Sequence, residues 1–492
     1  MTSEIVTDFS ALIKRYKGNL PRYTSYPTAA SFTPAVGFFQ AQTWLSTLST
    51  VLPAEEPISL YCHVPFCDEL CRFCGCHTSV VRHEEQRITY AETLKEELRR
   101  IALLVGQRPV QHIHFGGGTP TTLPLNALRS LMHTIGTLFA LTPHGEIAME
   151  IDPRHVPTDY PQALKALGFN RVSLGVQDIN PRVQEACGRL QSFEHTKDVI
   201  EHVRSVGIRG VNIDLIYGLP YQTQESVTQT AHQIASLKPE RLAVFGYAHV
   251  PWKQKRQQLM PTEALPDSTE RLAQRRCIEQ VLHQAGYEKI GLDHYALPTD
   301  SLAHAARNGT LHRNFQGYTI DPCQVLIGIG ASAISMLPQG FVQNIISPAQ
   351  YMRALEETPH LPIARGVVRT AQDHQRWAII ERLMCDLSVD VQNPSQPAKT
   401  AEKSESKTWS NTWPDSFEKE RAALEAFIQD GILTRHGSVI RLTEKGRPFL
   451  RHVAAVFDVY RESLAQQAQK EHNKRTNTSL EQEEARCFSS SL

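Results

Sequence analysis

The sequence predicts an α/β fold with a parallel sheet, and three observations support this fold class. Six short apolar runs lie between residues 58 and 250. Amphipathic segments separate these runs, and the two patterns alternate regularly. Because parallel strands need a crossover connection, usually a helix, regular alternation favours a parallel sheet. Hydrophobic periodicity does not choose between an open doubly wound sheet and a partial barrel.

The elements follow in order after a mixed N-terminal segment, residues 1–50. Predicted helices at 84–105 and 192–206 carry an apolar residue every three to four positions, and Gly207 is typical of the position after a helix. Residues 291–345 are rich in glycine and aromatic residues and resemble neither a plain helix nor a plain strand. The predicted strands are ISLYCHV (58–64), VQHIHF (110–115), EIAMEI (146–151), RVSLGV (171–176), GVNIDLIY (210–217) and RLAVFGY (241–247).

The C-terminal part is predicted to be mainly helical. The polar segment 393–416, rich in proline and serine, predicts a flexible insertion, and the polar tail from about residue 466 predicts disorder. Helices beside a hairpin are compatible with a winged helix, but this segment is not notably basic, which disfavours DNA binding. The predicted elements are helices at 371–388, 416–429 and 447–468 and a hairpin, DGILTRHGSVIRLT, at 430–443.

Composition excludes several classes of function. The 492 residues include 51 Lys and Arg against 51 Asp and Glu, so the charge balance gives no indication of a nucleic-acid partner. No run of about 18 apolar residues predicts a membrane helix, and the N-terminus lacks the apolar core of a secretory signal. We therefore expect a cytoplasmic protein without membrane or nucleic-acid partners. We also expect it to be a monomer.

Half of the cysteines lie in one short window. Five of the ten, namely Cys62, Cys67, Cys71, Cys74 and Cys76, fall within 15 residues. In a chain expected to be cytoplasmic, such a cluster indicates metal chemistry rather than disulfides. Cys62 lies within a predicted strand and is expected to be a small core residue.

The spacing Cys67-x3-Cys71-x2-Cys74 leaves two kinds of metal site open. Three thiolates on one loop can hold three irons of a 4Fe–4S cluster and leave the fourth iron for another ligand. A structural zinc site requires four protein ligands, and Cys76 or His77 would supply the fourth. The spacing alone does not decide between these sites.

Polar residues also stand at the ends of the predicted strands. The turn Gly116-Gly117-Gly118-Thr119 follows the second strand, and its glycines would let a ligand approach the backbone and use its N–H groups. Glu150, Gln177 and Asp214 lie at or near the ends of the next three strands. Taken singly, each of these residues fits the ordinary polar end of a strand. The carboxyl ends of parallel strands, however, meet at one face, where such folds bind ligands. Together they predict one ligand site.

Phe73 before the last cysteine completes a motif that resembles the radical SAM signature. The string from Tyr61 to Cys76, YCHVPFCDELCRFCGC, is more specific and resembles the oxygen-independent coproporphyrinogen III oxidase (coproporphyrinogen dehydrogenase) family. The resemblance extends over almost the whole chain. Its further segments are PRYTSYPTA (21–29), HFGGGTPT (114–121), MEIDPR (149–154), SLGVQD (173–178), NIDLIYGLP (212–220), GYAHVP (246–251), LHRNFQGYT (311–319) and GIGASAISM (328–336).

This resemblance implies a partial (β/α)6 radical SAM barrel with an N-terminal arm and a mainly helical C-terminal domain. The implied division is an arm over the active site at 1–50, the barrel at 51–290, a substrate-site and linking segment at 291–360, the C-terminal domain with its insertion at 361–465, and the tail at 466–492.

The resemblance also implies the cofactors and the residues that hold them. One 4Fe–4S cluster on Cys67, Cys71 and Cys74 and two molecules of S-adenosylmethionine (SAM) are expected. Arg189 would pair with a carboxylate through its fork geometry. No catalytic acid or base is assigned, because a radical abstracts the hydrogen. The implied SAM residues are Tyr61, Phe73, Gly117, Gly118, Thr119, Glu150, Gln177, Arg189, Asp214, Ala248 and Ile334.

The implied activity is a step of haem biosynthesis. The ring A and B propionates of coproporphyrinogen III become vinyl groups by way of 5′-deoxyadenosyl radicals, which gives protoporphyrinogen IX. Arg22, Arg313 and Gln316 are the candidates for binding this substrate, and a flavodoxin-like protein is the expected electron donor. The alternative is a haem-binding chaperone of a related radical SAM branch. Cys76 and the segments PRYTSYPTA and NFQGYT favour the enzyme.

Overall fold

Short strands and helices alternate along the chain in this computed structural model, which describes residues 9–396, except Ser10, Lys17 and Asn19, and residues 413–466. The strands are β1 Ile58–Val64, β2 Phe66–Cys67, β3 Ser79–Val80, β4 Pro109–Gly117, β5 Ala140–Ile151, β6 Arg171–Gln177, β7 Gly210–Tyr217, β8 Arg241–Gly246, β9 Glu288–Ile290, β10 His294–Ala296, β11 His312–Asn314, β12 Gly317–Thr319, β13 Leu326–Ile329, β14 Ile334–Leu337, β15 Gly340–Asn344, β16 Ile363–Val368, β17 Ser388–Asp390, β18 Leu433–His436 and β19 Val439–Leu442. The α-helices are α1 Phe38–Ser46, α2 Leu48–Val51, α3 Glu84–Val105, α4 Leu125–Leu138, α5 Tyr160–Ala166, α6 Pro181–Cys187, α7 Phe193–Ser205, α8 Gln224–Ser236, α9 Ser268–Gln284, α10 Ser301–Asn308, α11 Pro348–Glu357, α12 Ala371–Asp386, α13 Glu418–Gln429 and α14 Leu450–Ala455.

A 12-stranded sheet lies at the centre, with the order β16-β15-β14-β13-β1-β4-β5-β6-β7-β8-β10-β9. The strands β13, β1 and β4 to β8 are parallel to one another. Antiparallel strands extend both edges. The six predicted strands are β1 and β4 to β8, in the predicted order, and among the described strands the two ends of the sheet do not pair. The expected partial (β/α)6 barrel is confirmed.

Residues of the parallel strands alternate between two environments. Val211, Ile213 and Leu215 of β7 are buried in the main apolar core. Asp214 lies between Ile213 and Leu215 along the strand, and Ile216 follows them. Both line a cleft on the other face of the sheet. Because successive strand residues point to opposite faces, one face packs and the other stays available to a ligand. Cys62 of β1 is fully buried, so its predicted core position is confirmed.

The two predicted barrel helices are present. The helix α3 has the predicted bounds and ends before Gly106, whose φ is 74°. The helix α7 is one residue shorter at each end than predicted, because Ser192 is its N-cap and accepts a hydrogen bond from the His195 N–H at 3.0 Å. Among the described residues, no helix combines the length and apolarity needed to cross a membrane.

The C-terminal part contains α12, α13 and a three-stranded sheet with the order β17-β19-β18, which includes the predicted hairpin. The single last helix predicted at 447–468 is wrong. A 3₁₀ turn at Arg447–Phe449 leads into α14, the chain then turns at 456–460, and residues 461–466 are helical again. Asp458 accepts the Tyr460 N–H at 3.0 Å, and this local bond competes with helix propagation.

The predicted insertion and tail lie mostly outside the described residues, at 397–412 and 467–492. At the described end of the insertion, Trp413 is buried and donates from Nε1 to the Phe417 carbonyl at 2.8 Å. Trp413 therefore belongs to the packed C-terminal core rather than to a flexible segment.

Candidate active site

The carboxyl ends of the parallel strands and the cysteine loop surround one cleft of about 400 Å³. This volume is typical of small-molecule sites. Tyr61, Arg313, Gln316 and Ile334 do not line it. The sequence-predicted residues that do are Arg22, Cys67, Cys71, Phe73, Cys74, Gly117, Gly118, Thr119, Glu150, Gln177, Arg189, Asp214 and Ala248.

The three predicted cluster ligands lie on the loop between β1 and α3. The strand β2, which contains Cys67, pairs in parallel with β3 and closes the base of this loop. The Cys74 N–H donates to the Cys71 carbonyl at 3.3 Å, and the Arg72 N–H donates to the Cys187 carbonyl at 2.9 Å. The tight turn and the anchor on α6 hold the loop at the edge of the cleft, so that all three cysteines line one wall.

Cys67 and Cys74 each accept a hydrogen bond at sulfur. Thr119 Oγ1 donates to Cys67 Sγ at 3.7 Å, and the Cys76 N–H donates to Cys74 Sγ at 3.4 Å. Hydrogen bonds from the Cys76 thiol and N–H lower the pKa of Cys74 to about 6. The lowered pKa favours the thiolate of Cys74, the form that binds metal.

Two arginines surround Cys71. Arg189 Nη1 and Arg154 Nη2 lie 3.2 and 3.6 Å from Cys71 Sγ. Both also bind Asp152, and Arg189 does so through two bonds of 3.0 Å. The carboxylate that pairs with Arg189 in this structure is therefore a side chain of the protein itself. Sequence analysis missed Asp152 and Arg154, although MEIDPR contains both directly after a predicted strand.

The glycines at the end of β4 allow two neighbours to approach closely. A Cβ atom at Gly117 would lie 2.4 Å from His63 Cε1, and φ at this residue is 109°. A Cβ atom at Gly118 would lie 2.5 Å from the Phe66 carbonyl oxygen. A side chain at Gly117 would collide with His63 of β1, and one at Gly118 would displace the strand β2, which carries the first cysteine.

The N–H groups of this turn are not available to a ligand, contrary to expectation. The Gly117 N–H donates to Glu150 Oε2 at 3.0 Å. The Gly118 N–H donates to the Val64 carbonyl at 2.8 Å. The glycines thus serve close packing between the cysteine loop and the strand ends.

Two carboxylates in the cleft differ in charge. Burial would raise the pKa of Glu150, but its hydrogen bond and attraction to His114, 3.1 Å away, hold that pKa below its ordinary value. Burial, and then the charge of Glu150, raise the pKa of Asp214 to about 7. Asn212 Nδ2 and Ser173 Oγ donate to Asp214 at 2.8 and 3.2 Å. The cleft therefore contains one ionised carboxylate and one that titrates near neutrality.

Gln177 ends β6 in a left-handed conformation, with φ of 70°. The pairing of β6 with β7 shifts register between Gly175 and Gln177. Positive φ is uncommon for glutamine, and such strain concentrates at functional sites. The irregularity leaves Gln177 in the wall of the cleft.

The loop that follows β8 holds the cysteine loop from the opposite side. Gln257 Nε2 donates to the carbonyls of Phe73 and Ala248 at 2.8 and 3.1 Å, and Gln257 is 1% exposed. Arg256 Nη1 donates to Thr78 Oγ1 at 2.9 Å. Sequence analysis missed Gln257 and Arg256, since no local pattern indicates contacts between segments that lie 184 residues apart.

Tyr61 and Ile334 do not belong to the lining of the cleft. Tyr61 Oη is hydrogen-bonded to His63 Nδ1 at 3.0 Å, and its ring stacks on that of His114 with centroids 6.0 Å apart. Burial lowers the pKa of His63 to about 4, so this imidazole is neutral. Ile334 begins β14 and pairs with Gln343.

Of the predicted substrate residues, Arg22 reaches the cleft. Its Nη2 donates to the Gly246 carbonyl at 3.3 Å, and its guanidinium carbon lies 5.1 Å from the centroid of the Phe245 ring. The segment 21–29 thus places a cation opposite the cysteine loop, at the carboxyl end of β8.

Arg313 and Gln316 make other contacts. Arg313 is 4% exposed and donates to the carbonyls of Arg22 and Tyr23, each at 3.1 Å. The Gln316 N–H is hydrogen-bonded to Asn314 Oδ1 at 2.9 Å in the turn between β11 and β12. Arg313 therefore holds the backbone that carries Arg22.

The side chains present suit an iron–sulfur cluster with an organic ligand. Three thiols lie on one loop, and the sulfur atoms accept hydrogen bonds from polar groups, as ligands of such clusters do. Carboxylate, amide and guanidinium groups remain for a zwitterionic ligand. No group of three or more His, Cys, Asp or Glu side chains in the described parts of the chain converges on a single ion position.

Several known proteins and one protein family are similar to this chain. Residues 61–234 match the Radical SAM superfamily. A protein of Bradyrhizobium diazoefficiens named oxygen-independent coproporphyrinogen III oxidase is 44% identical over 442 residues, which cover 90% of this chain and 94% of that protein. A protein of the same name from Synechocystis sp. is 38% identical over 470 residues, which cover 95% of this chain and 98% of that protein. The solved structure of coproporphyrinogen III oxidase from Escherichia coli, described as a radical SAM enzyme, has a TM-score of 0.83 at 36% identity, with coverage of 92% and 98%.

Proposed function

The chain belongs to the oxygen-independent coproporphyrinogen III oxidase family of radical SAM enzymes, and we propose that it converts the ring A and B propionates of coproporphyrinogen III to vinyl groups. The product is protoporphyrinogen IX, and the reaction belongs to haem biosynthesis. One observation supports the proposal most directly: three loop thiols, the polar strand ends and Arg22 line a single cleft.

The proposed metal centre is one 4Fe–4S cluster on Cys67, Cys71 and Cys74, with two SAM molecules in the same cleft. When bound, the cluster and SAM supply a one-electron cleavage that gives methionine and a 5′-deoxyadenosyl radical. The ionised Glu150 suits an ammonium group, and Asp214 accepts a hydrogen bond from a hydroxyl or amino group.

Each decarboxylation breaks two bonds of one propionate. A hydrogen atom leaves the carbon β to the carboxylate, CO2 departs, a vinyl double bond forms, and one electron passes to an acceptor. No side chain has to remove a proton in this step. The chain acts instead by orienting the substrate and excluding water. A tetracarboxylate needs only a few placed cations such as Arg22, which is compatible with the balance of 51 basic and 51 acidic residues.

We also propose a role for each part of the chain. Residues 1–50 act as an arm over the cleft, 51–290 as the barrel, 291–360 as the segment that shapes the substrate site, and 361–465 as a helical domain. We propose a monomeric cytoplasmic enzyme that receives electrons from a donor such as a flavodoxin-like protein. Nucleic acid and membranes are not partners.

The test is anaerobic reconstitution with iron and sulfide, followed by addition of SAM, a reductant and coproporphyrinogen III. We expect 5′-deoxyadenosine and divinyl product to appear together, because each of the two decarboxylations consumes one radical. Liquid chromatography with mass detection measures both. Stable haem binding without decarboxylation would support the chaperone alternative. A colourless protein that contains zinc after anaerobic purification would contradict both.

A further inference from the structure

A second, smaller cavity of about 30 Å³ lies beside the cleft, at the carboxyl ends of β7 and β8. Four arginines line it: Arg22, Arg271, Arg275 and Arg451. Arg22 and Gly246 line both the cavity and the cleft, so the two spaces adjoin. No cluster cysteine lines the cavity. This cluster combines residues from the N-terminal segment, from α9 and from α14.

The cavity wall has more positive than negative charge. Asp293 is the only acidic residue among the described residues that line it. Asp293 Oδ1 is already hydrogen-bonded to His294 Nδ1 at 2.8 Å. Burial would raise the pKa of Asp293, but this bond and the charges of His294, Arg313 and Arg22 hold it well below its ordinary value. One carboxylate that is already engaged does not balance four guanidinium groups.

Two of the guanidinium groups retain hydrogen-bonding capacity. The buried Nε atoms of Arg271 and Arg275 have no hydrogen-bond partner among the described residues. Burial, together with the nearby Arg22, lowers the pKa of Arg271. Buried charges in proteins are normally paired, so this arrangement lacks an anion.

Backbone contacts hold the arginines in place without neutralising them. Arg271 Nη2 donates to the Tyr247 carbonyl at 2.7 Å. Gly218, whose φ is 84°, leaves room for this side chain, because a Cβ atom there would lie 2.7 Å from Arg271 Nε. Arg451 is 5% exposed and donates to the Leu20 carbonyl at 2.8 Å. Guanidinium groups fixed in this way are preorganised for a carboxylate, which their fork geometry matches.

We propose that this arginine cavity binds the carboxylate of a substrate propionate that is not being decarboxylated. Its volume of about 30 Å³ exceeds the roughly 10–15 Å³ that a cavity needs to hold one water molecule, so it admits a carboxylate end but not a pyrrole ring. The ring therefore stays in the adjoining cleft, and Arg22 spans the boundary. The inference rests on the proposed function, since coproporphyrinogen III supplies four carboxylates of which only two react.

The experiment compares R271Q, R275Q and the double variant R271Q/R275Q with the wild-type holoenzyme. We expect KM for coproporphyrinogen III to rise about tenfold or more in each single variant and further in the double variant, because each change removes a charged hydrogen bond to the carboxylate. The Kd for coproporphyrin III, measured by fluorescence, should rise in parallel. R275K keeps the charge but loses the fork, and should fall between wild type and R275Q. R129Q removes an exposed arginine of α4 and is the matched control.

The visible absorbance shows whether each variant contains the cluster, and the thermal unfolding midpoint shows whether the variant is folded. If R271Q does not fold, R275Q and R275K still decide the question, because both leave the bond from Arg271 Nη2 to the Tyr247 carbonyl in place. The proposal would be overturned if KM and Kd stayed within twofold of the wild-type values in R275Q and in R271Q/R275Q, each with a full cluster content. If the wild type itself formed no vinyl product, the proposed function would fail instead, so the two failures are distinguishable.

Discussion

At the residue scale, the three loop cysteines differ in what surrounds their sulfur atoms. Cys71 Sγ lies within 3.6 Å of two guanidinium groups, from Arg154 and Arg189. Cys67 Sγ accepts only a long bond from Thr119 at 3.7 Å among the described residues. Because hydrogen bonds and positive charge stabilise the reduced state of an iron–sulfur cluster, a cluster held by these cysteines would have its reduction potential raised most strongly on the Cys71 side.

The first prediction is that Cys71→Ser prevents cluster assembly while the chain stays folded. A serine hydroxyl is a poor ligand for iron in place of a soft thiolate, and two thiolates do not hold the cluster. Iron and sulfide content and visible absorbance after anaerobic reconstitution measure the effect. Cys277→Ser, a cysteine of α9 outside the cleft, is the control and should retain full cluster content. Full occupancy in Cys71→Ser would refute the ligand assignment.

The second prediction concerns Asp214, whose pKa is raised to about 7 by burial and by the charge of Glu150. The folded state retains a proton on Asp214 that the unfolded state loses near pH 4. Stability therefore falls as the pH rises from about 4 to 7, and the penalty is complete above pH 7. Asp214→Asn removes this titration, so its thermal midpoint should decrease less than that of wild type between pH 5 and pH 8.

Differential scanning calorimetry at both pH values, without SAM, makes this comparison. Asp198→Asn, on the exposed face of α7, is the control and should follow the wild type. An identical pH dependence in Asp214→Asn and wild type would show that Asp214 does not titrate in this range.

At the element scale, the end of β4 determines where the cysteine loop lies. The Gly118 N–H donates to the Val64 carbonyl, and the position of its missing side chain is occupied by the backbone of Phe66. The strand β2 begins there, so the packing of one glycine turn sets the position of Cys67. The end of β4 therefore acts on the site by positioning the cysteine loop and not by contacting a ligand.

The third prediction is that Gly118→Ala impairs cluster binding and lowers stability by about 1–3 kcal/mol, the usual cost of overpacking. The added Cβ would lie 2.5 Å from a backbone oxygen that has no flexible end to move away. Gly136→Ala in α4 is the matched control, because its Cβ would meet nothing within 4 Å. That change should stabilise the protein by about 0.5–1 kcal/mol. Chemical denaturation and cluster content measure both. Normal cluster content in Gly118→Ala would contradict this account of the turn.

At the scale of the whole molecule, the N-terminal segment joins two apolar cores. Tyr23 is buried with the helices of the C-terminal part, whereas Trp44 packs in the core of the main sheet. Between these anchors, Arg22 enters the cleft. Arg313, distant in sequence, holds the segment by its bonds to the carbonyls of residues 22 and 23. The position of Arg22 therefore depends on contacts across the whole chain.

The fourth prediction is that Arg313→Met releases this segment. Two buried carbonyls lose their donor, which costs about 1–3 kcal/mol for each unsatisfied group. We expect faster tryptic cleavage after Arg22 and a several-fold rise in KM for coproporphyrinogen III. Mass spectrometry of the digest and steady-state kinetics measure the two effects, with Arg129→Met as the control. A higher KM with unchanged cleavage after Arg22 would indicate that Arg313 binds the substrate directly.

Local patterns account for most of the fold. Apolar runs identify the six strands, and apolar residues that recur every three to four positions identify the helix α3. These patterns are readable because they follow from which face of each element is buried. The last helix does not follow from periodicity, since the side chain of Asp458 interrupts it through a local hydrogen bond. The family resemblance supplied the choice of a partial barrel, which hydrophobic periodicity leaves open.

The sequence by itself determined the six strand–helix units, the three clustered thiols and the polar strand ends, because spacing along one segment carries this information. Only the tertiary structure decided which groups meet: Arg189 with Asp152, Gln257 with the Phe73 carbonyl, and four arginines around one cavity. Such pairs join segments far apart in sequence, and the orientation of each side chain depends on packing that no local pattern records. The cysteine spacing is therefore readable along the chain, whereas the arginine cavity exists only in the fold.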